Sequence, residues 1–249
     1  MKSPCALTRP DTIIADFVGD FHYLAVMKSP GLSRSVEDYL KAIYTLNERG
    51  EAAGTSHLAQ ALEVQPASVS GMIRRLAEDG LLEHEPYRGV RLTPLGNREA
   101  LKVLRRHRII ESYLVRELGF GWDDVHEEAE RLEHAASDEL VDRMAEAMGN
   151  PATDPHGAPI PTRNGKIDPT AYPRLNEVPD GTRVTVRSVS DHDPARLRYF
   201  ESVSLVPGAR ALVQKGGIDS GRVTVLVEGG AEPFTLKAGV ARRVTVMEE

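Results

Sequence analysis

The chain has 249 residues, of which 41% are hydrophobic and 27% are charged, and its formal net charge is −6 at pH 7. This composition is typical of a globular protein with two or three domains. No apolar run approaches the ~20 residues that a membrane-spanning helix needs. The single cysteine, Cys5, excludes an internal disulfide. The N-terminus lacks the pattern of a secretory signal peptide. We therefore expect a cytoplasmic protein without a membrane-spanning segment.

Residues 1–32 are expected to form an N-terminal extension. The tetrapeptide Met-Lys-Ser-Pro occurs at positions 1–4 and again at positions 27–30. Either Met1 or Met27 is therefore compatible with a translation start, and in the second case 1–26 would be a weakly ordered addition.

Charge is distributed unevenly along the chain. Between Gln65 and Arg108, nine Lys and Arg residues stand against five Asp and Glu residues. Between Ile109 and Ile160, thirteen acidic residues stand against three basic ones. A basic segment next to an acidic one predicts a region that binds a polyanion and a second region that binds cations.

Residues 33–95 show the pattern of a winged helix-turn-helix domain. Capping serines, glycine breaks and a proline at a helix start predict three short helices, at Val36–Arg49, Ser56–Leu62 and Ala67–Asp79. Two short extended runs then predict a β-hairpin, at Leu81–His84 and Val90–Thr93. Three helices followed by a hairpin are typical of a DNA-binding winged helix.

The third helix has a polar outer face, and the hairpin tip adds an aromatic and a basic side chain. Ser and Gln side chains hydrogen-bond to base edges or phosphates, and Arg contacts phosphates. The expected DNA-contacting residues are Gln65, Ser68, Ser70, Gly71, Arg74, Arg75, Tyr87 and Arg88. The alternative is a winged helix that serves only protein contacts. The basic excess begins at this helix and favours double-stranded DNA.

Residues 96–162 are expected to form an all-helical domain. Its first helix is predicted at Gly96–Leu118, where His107 and Glu111 share one face because they are four residues apart. The same spacing is used by helical metal ligands. Trp122, which follows this helix, is expected to be an anchor in a core or an interface.

The segment Val125–Met148 contains no Pro or Gly and predicts a single helix of about six turns. Its apolar residues step by three and four, which predicts a buried stripe formed by Val125, Ala129, Leu132, Ala136, Leu140, Met144 and Met148. Beside the stripe, within roughly 100° of one another, lie His126, Glu130, Glu133 and His134. Taken alone, these four are either a solvated flank of the helix or half of a metal site.

The C-terminal part changes to short strands. Residues 163–177 are expected to form a linker, within the Pro-rich and Gly-rich stretch Asn150–Pro173. Alternating apolar and polar residues then predict strands at Arg183–Val189, Arg210–Gln214, Arg222–Leu226, Glu232–Leu236 and Arg243–Met247, with a short helix at Pro194–Ser202. Five short strands between residues 178 and 249 predict a small barrel.

Taken together, these segments resemble the diphtheria toxin repressor family of metal-dependent transcriptional regulators. Several ordered blocks carry the resemblance, namely VEDYLKAIYTL, PASVSGMIRRLAEDGLL, YRGVRLTPLG, RRHRIIESYL, VHEEAERLEHAASDEL and DPHGAPIP. They cover roughly Ser33–Pro161, and the C-terminal strands match more loosely. The resemblance implies an α+β chain with an N-terminal winged helix-turn-helix, an all-helical metal-binding and dimerisation domain and a C-terminal SH3-like barrel.

The resemblance also implies a function and two metal sites. The family's homodimers bind operator DNA when loaded with a transition metal, typically to repress metal-uptake genes. A primary site is implied at Asp38, Glu130, Glu133 and His134. An ancillary site is implied at His107, Glu111 and His126, with a further ligand from the barrel at Asp193 or its neighbours Asp191 and His192.

Two departures from the family bear on the metal. Iron-responsive members carry sulfur ligands where this chain has Asp38 and Glu130, and a set of oxygen and imidazole ligands suits a harder ion. Mn²⁺ is therefore expected, with Fe²⁺ as the alternative and Zn²⁺, Co²⁺ or Cd²⁺ as surrogates. Manganese members with a close metal pair carry a second carboxylate three residues after the Asp. Here Lys41 occupies that position, so a separated primary and ancillary arrangement is expected.

Two other functions are alternatives to a metal-activated repressor. A hydrolytic metalloenzyme needs an open coordination position and a nearby general base. The chain shows no nucleophile constellation, no Gly-rich phosphate loop and no H-E-x-x-H motif, so we expect no enzyme. A winged-helix regulator that senses an organic ligand through its barrel is the other alternative, and the His and Glu clusters favour a metal instead.

Overall fold

The computed structural model describes residues 32–85, 89–190, 193–215, 221–230 and 232–249. The expected N-terminal extension up to residue 31, and the hairpin-tip residues Tyr87 and Arg88, lie outside this range. The described helices are α1 (Arg34–Glu48), α2 (Thr55–Ala61), α3 (Pro66–Glu78), α4 (Pro94–Leu118), α5 (Val125–Leu132), α6 (Asp138–Ala147), α7 (Pro194–Ser202) and α8 (Ala238–Ala241). The strands are β1 (Leu82–Glu85), β2 (Gly89–Leu92), β3 (Arg183–Val189), β4 (Arg210–Lys215), β5 (Arg222–Val227), β6 (Phe234–Lys237) and β7 (Val244–Glu248).

The winged helix is formed by α1, α2, α3 and the antiparallel hairpin of β1 and β2. Its core is built from one apolar stripe of each helix, and Leu40, Ile43, Leu58, Val69 and Leu76 are completely buried. Each predicted helix and strand is observed within one or two residues of its expected ends. The winged-helix prediction is confirmed.

The long helix α4 connects this domain to the next. Thr93 caps it by accepting a hydrogen bond from the backbone N–H of Gly96, and Pro94 occupies its first turn. It ends at Gly119, whose left-handed backbone conformation (φ 74°) closes the last turn. One side of α4 packs against α1, and the helix also contacts α5, α6 and β2. None of the described helices is long and apolar enough to cross a membrane.

The prediction of one helix over Val125–Met148 is wrong. The chain turns between α5 and α6, because Ser137 accepts a hydrogen bond from the backbone N–H of Leu140 and starts a new helix with acidic residues in its first turn. The predicted apolar stripe is therefore broken. Leu132 and Leu140 are 38% and 46% exposed, whereas Val141, which was not assigned to the stripe, is buried.

The C-terminal domain is a five-stranded antiparallel sheet in the order β6-β5-β4-β3-β7. Its core consists of the alternate strand residues together with Leu197 and Phe200 of α7. Leu175, which lies in the predicted linker, is also completely buried in this core. The short helix α8 was not predicted, and β6 begins two residues later than expected.

Candidate metal centre and DNA-binding surface

A cluster of three metal-ligating side chains lies where the winged helix meets the helical domain. Asp38 comes from α1, and Glu133 and His134 come from the turn that follows α5. The Nε2 atom of His134 lies 2.8 Å from Asp38 Oδ1 and 3.3 Å from Glu133 Oε1. We call these three residues the primary cluster.

The orientation of His134 is set from its other side. Its Nδ1 lies 2.8 Å from Glu37 Oε2, so Nδ1–H donates to that carboxylate. The Nε2 atom is buried and forms no hydrogen bond within the described part of the chain. Nε2 converges with oxygens of Asp38 and Glu133, as the ligands of one cation do. A histidine oriented by a carboxylate in this way is typical of a metal ligand, so these residues fit a divalent ion.

Glu130 is turned away from this cluster by Lys41. The Lys41 Nζ lies 2.7 Å from Glu130 Oε1 and 2.6 Å from Glu133 Oε1, and the lysine side chain is only 13% exposed. Burial favours the neutral amine, but the two carboxylates outweigh it and raise the pKa of Lys41. A permanent positive charge therefore lies between these two carboxylates. Glu130 is grouped with His107 and Glu133 rather than with Asp38.

A second cluster is formed by His107 and Glu111 of α4 and His126 of α5. His107 Nε2 lies 2.9 Å from Glu111 Oε1 and 3.0 Å from His126 Nδ1. Burial opposes the charge on Glu111, but His107 and the other histidines around it hold its pKa well below the ordinary value. Two imidazole nitrogens and one carboxylate oxygen thus converge, as metal ligands do. We call these three residues the ancillary cluster.

Glu133 connects the two clusters. Its Oε1 faces His134, and its Oε2 lies 2.7 Å from His107 Nδ1. Because Nδ1–H of His107 donates to Glu133, the Nε2 atom is directed at the ancillary cluster. Burial would raise the pKa of Glu133, but the hydrogen bond from His107 and the charge of Lys41 lower it to about 2. The predicted separate sites are therefore contiguous through one completely buried carboxylate.

Metal binding at the ancillary cluster is expected to release about one proton per ion near neutral pH. Burial disfavours a charged His107, but Glu111 and Glu133 outweigh it and raise the pKa of His107 to about 9. The metal-free imidazole is therefore protonated at neutral pH and must lose its proton to ligate an ion. Between about pH 6 and pH 8 the affinity should rise up to about tenfold per pH unit, levelling off above the pKa.

Calorimetry in buffers of different ionisation enthalpy measures this proton release. The control is H57Q, because His57 is exposed, belongs to neither cluster and hydrogen-bonds to the carbonyl oxygen of Ala52; this variant should behave as the wild type does. An ion affinity of the ancillary cluster that stays constant across this pH range contradicts the prediction.

The predicted DNA-contacting face of α3 is exposed as a whole. It comprises Gln65, Ser68, Ser70, Gly71, Arg74 and Arg75, while Val69 and Leu76 on the opposite side are buried in the winged-helix core. The Nε atom of Arg75 lies 3.9 Å from Asp79 Oδ2, and both side chains are exposed. A polar helix face with two arginines, next to a hairpin, has the form that enters a DNA major groove.

Comparison with known proteins decides the family. Three family models match consecutive parts of the chain: the iron dependent repressor N-terminal DNA binding domain over residues 31–90, the iron dependent repressor metal binding and dimerisation domain over 93–162, and the FeoA domain over 174–248. The iron-dependent repressor IdeR of Mycobacterium leprae (strain TN) is 34% identical over 227 residues, which are 85% of this chain and 96% of that protein. The chain belongs to the iron-dependent repressor family.

Other relatives agree with this assignment. The diphtheria toxin repressor of Corynebacterium glutamicum is 34% identical over 86% of this chain and 97% of its own length. Among solved structures, a manganese-dependent transcriptional repressor in complex with manganese is 39% identical, with a TM-score of 0.80, and the match covers 86% of this chain and all of that one. The family consists of DNA-binding, metal-dependent repressors and is not enzymatic, as the resemblance implied.

The expected role of Asp193 as a metal ligand stays a prediction, and its side chain has other contacts. Asp193 caps α7 by accepting hydrogen bonds from the backbone N–H groups of Ala195 and Arg196, and its Oδ2 lies 2.8 Å from the Arg196 guanidinium. It does not belong to any of the groups of potential metal ligands found among the described residues. The neighbouring Asp191 and His192 lie outside those residues.

Sequence reasoning missed the residues that support the clusters. Glu37 is buried although it is charged, and it binds both His134 and the guanidinium of Arg106. Asp154 and His156, from the DPHG block, are also buried and lie beside Glu111. Glu37 follows Val36 and precedes Asp38, so helical periodicity alone could not separate a supporting carboxylate from a solvated one.

Proposed function

We propose that this repressor binds DNA when a divalent metal ion holds its winged helix against its helical domain. The observation that carries the proposal is the convergence of the buried Nε2 of His134 with oxygens of Asp38 and Glu133, 2.8 Å and 3.3 Å away. Asp38 lies on the first helix of the DNA-binding domain, and His134 follows the first short helix of the metal-binding domain. An ion ligated by both residues would fix the position of the recognition helix α3.

Metal activation requires only that the ion binds the DNA-binding conformation more tightly than the other conformation of the protein. Without an ion, the carboxylates of Asp38 and Glu133 repel each other, which weakens the junction. A metal ion favours the DNA-binding conformation only as far as it binds that conformation more tightly. DNA must then tighten metal binding by the same factor, about 5–150-fold in typical cases.

The ligand set favours Mn²⁺. The primary and ancillary clusters contain carboxylates and imidazoles and no sulfur ligand, a combination that suits harder ions. The similar structure that is named for manganese supports this choice. The relatives named as iron-dependent make Fe²⁺ the alternative, and Zn²⁺, Co²⁺ and Cd²⁺ are suitable surrogates in experiments.

We propose one ion at the primary cluster and one at the ancillary cluster. The second ion of a closely bridged pair would need the oxygens of Glu130 and Glu133. The Lys41 ammonium already lies within hydrogen-bonding distance of both carboxylates. Glu133, which contacts residues of both clusters, gives each ion a direct electrostatic influence on the other. Occupation of one cluster should therefore alter affinity at the other.

The active species is proposed to be a homodimer on an operator. The match to a metal-binding and dimerisation domain supports the dimer, and a two-fold dimer presents two copies of α3 to half-sites about one DNA turn apart. The exposed Leu132 and Leu140 are apolar residues that a second protomer could cover. Repression of metal-uptake genes in the cytoplasm is the role that fits such a sensor.

Replacing Arg74 with alanine is expected to weaken DNA binding in the presence of Mn²⁺ and to lower the dependence of affinity on salt concentration. Arg74 is exposed on the outer face of α3, and each lost phosphate contact should reduce the slope of log K against log salt by about one. Fluorescence anisotropy at several salt concentrations measures both quantities.

The matched control is R143A, which removes an exposed arginine of α6 that pairs with Glu139. Both variants lose one positive charge, so a general charge effect would weaken their DNA binding equally. The proposed DNA-binding surface requires a clear loss for R74A and near wild-type binding for R143A. Equal behaviour of the two variants contradicts it.

A further inference from the structure

We propose that the C-terminal domain tunes the ancillary metal site by holding His156 in the position from which it orients Glu111. The inference rests on the proposed ancillary site. It concerns the DPHG segment, a tight turn whose ends are joined by a bridge between Thr153 and Pro159.

The carboxylate of Asp154 holds the turn together. One oxygen of the buried Asp154, Oδ1, accepts hydrogen bonds of 2.9 Å from the backbone N–H groups of His156 and Ala158. The other oxygen lies 3.3 Å from the Nε atom of Arg108. These contacts fix the backbone on both sides of His156.

The turn lies between α4 and β3 and is held from both sides. On the α4 side, Arg108 donates to the carbonyl oxygen of Pro159 at 2.6 Å. On the β3 side, the backbone N–H of Val189 donates to the carbonyl oxygen of His156 at 2.8 Å. Gly157 has a φ of 82°, and a Cβ at this position would lie 2.2 Å from the carbonyl oxygen of Arg187. The close approach of β3 therefore requires glycine here.

The His156 ring reaches from this turn to the ancillary cluster. Its Nε2–H donates to the carbonyl oxygen of Trp122 at 2.7 Å, and its ring stacks on the Trp122 indole with 5.4 Å between centroids. Trp122 itself packs against the core of the C-terminal domain. On the other edge of the ring, Nδ1 lies 3.8 Å from Glu111 Oε2.

The two oxygens of Glu111 therefore have different neighbours. Oε1 faces His107 and His126 within the ancillary cluster, and Oε2 faces His156. A group that restrains the second oxygen of a ligating carboxylate fixes the direction of the first. The C-terminal domain thus reaches the metal site through β3, Trp122 and His156.

A third metal site is the other interpretation of Glu111, Asp154 and His156, which lie close enough to share an ion. The Arg108 guanidinium opposes it, because its positive charge already pairs with Oδ2 of Asp154. Asp154 Oδ1 is also engaged by two backbone N–H groups, and His156 Nε2 by a carbonyl oxygen. These residues form a support for Glu111.

The experiment compares two substitutions of His156 in the full chain. H156F keeps a ring to stack on Trp122 but removes both nitrogens, and H156N keeps an amide donor near the position of Nδ1. Mn²⁺ calorimetry resolves the two binding steps, and Co²⁺ absorption reports ligand geometry. We expect H156F to weaken the ancillary step by about 10–100-fold and to change its Co²⁺ spectrum, with the primary step unchanged. H156N should recover much of the affinity.

The role of the C-terminal domain is tested with a matched pair of glycines. G157A should push the turn away from β3 and weaken the ancillary step. G149A is the control, because Gly149 also has a positive φ (74°) but a Cβ there would meet nothing within 4 Å. The losses in H156F and G157A should not add in the double variant, because both act through one contact.

Each outcome has a defined meaning. A wild-type protein that binds only one ion overturns the ancillary site and with it this inference. Two ions in the wild type, with an unchanged ancillary step in H156F, overturn the inference alone and leave the proposed function intact. An effect of H156F without an effect of G157A overturns the role of the C-terminal domain.

Discussion

Replacing Glu133 with glutamine is expected to lower the Mn²⁺ affinity of the primary cluster by at least about 100-fold and to remove the metal response of DNA binding. Changes to groups that only orient a ligand cost about 10–100-fold, and Glu133 both faces the ion position and orients His107. The side chain is completely buried, so solvent cannot replace the lost charge. Calorimetry with Mn²⁺ and DNA anisotropy measure the two effects.

Glutamine is the informative substitution because the site contains two buried cations. Alanine would remove the buried carboxylate that pairs with both Lys41 and His107 and would cost about 3–5 kcal/mol of folding stability. Thermal unfolding and sedimentation should show that E133Q remains a folded dimer. E127Q, at an exposed position of α5, is the matched control and should keep the wild-type metal response. Retention of that response in E133Q would exclude Glu133 as a ligand.

Replacing Lys41 with glutamate is expected to add one Mn²⁺ ion per protomer. The wild-type ammonium lies 2.7 Å from Glu130 and 2.6 Å from Glu133, and the substitution exchanges this fixed cation for a further ligand. Without metal, K41E should be less stable than the wild type, because like charges would meet at a largely buried position. With Mn²⁺ it should gain more stability, about 2.7 kcal/mol for each additional site at 100 times its dissociation constant.

Equilibrium dialysis and thermal unfolding with and without Mn²⁺ measure these changes. K41Q is the control, because it removes the positive charge without adding a carboxylate, and it should bind no more ions than the wild type does. An unchanged metal stoichiometry in K41E would contradict the role of Lys41 as the cation that prevents a bridged pair.

The architecture could be predicted because each domain has a strong local signal. In the winged helix, Pro66 and Gly80 mark the ends of α3, and buried residues recur at helical spacing between them. In the C-terminal domain, the alternation of apolar and polar residues in β3 gave its bounds directly. The break between α5 and α6 was missed because Ala135 and Ala136 favour a helix. The cap formed by Ser137 becomes decisive only in the folded chain.

Which potential ligands come close together was easier to predict than how they are grouped. His107, Glu111 and His126 meet as expected, because fixed spacings on two packed helices bring them together. The resemblance implies Glu130 and Glu133 as ligands of the same primary site. The turn after α5 points Glu133 at both clusters, while Lys41 from another helix engages Glu130. The orientation of these side chains depends on how helices far apart in the sequence pack together. Residue spacing within one helix does not predict that packing.

The response of the whole protein depends on the energetic link between the ion and DNA. The two clusters are contiguous through Glu133, and the primary cluster alone contains a residue of the winged helix, Asp38. We therefore infer that the primary ion sets the position of α3 and that the ancillary ion acts on it through the shared carboxylate. The C-terminal domain, through His156, would then adjust the metal concentration at which repression begins.

The most direct test of this account is the DNA affinity of the full chain with and without metal. An operator is first selected from a random DNA pool in Mn²⁺, and its dissociation constant is then measured at fixed ionic strength in chelator and in buffered free Mn²⁺ or Fe²⁺. We predict at least about tenfold tighter binding in Mn²⁺ than in chelator, and an equal tightening of Mn²⁺ binding by operator DNA. Equal DNA affinity in chelator and in excess Mn²⁺ and Fe²⁺ would contradict metal activation.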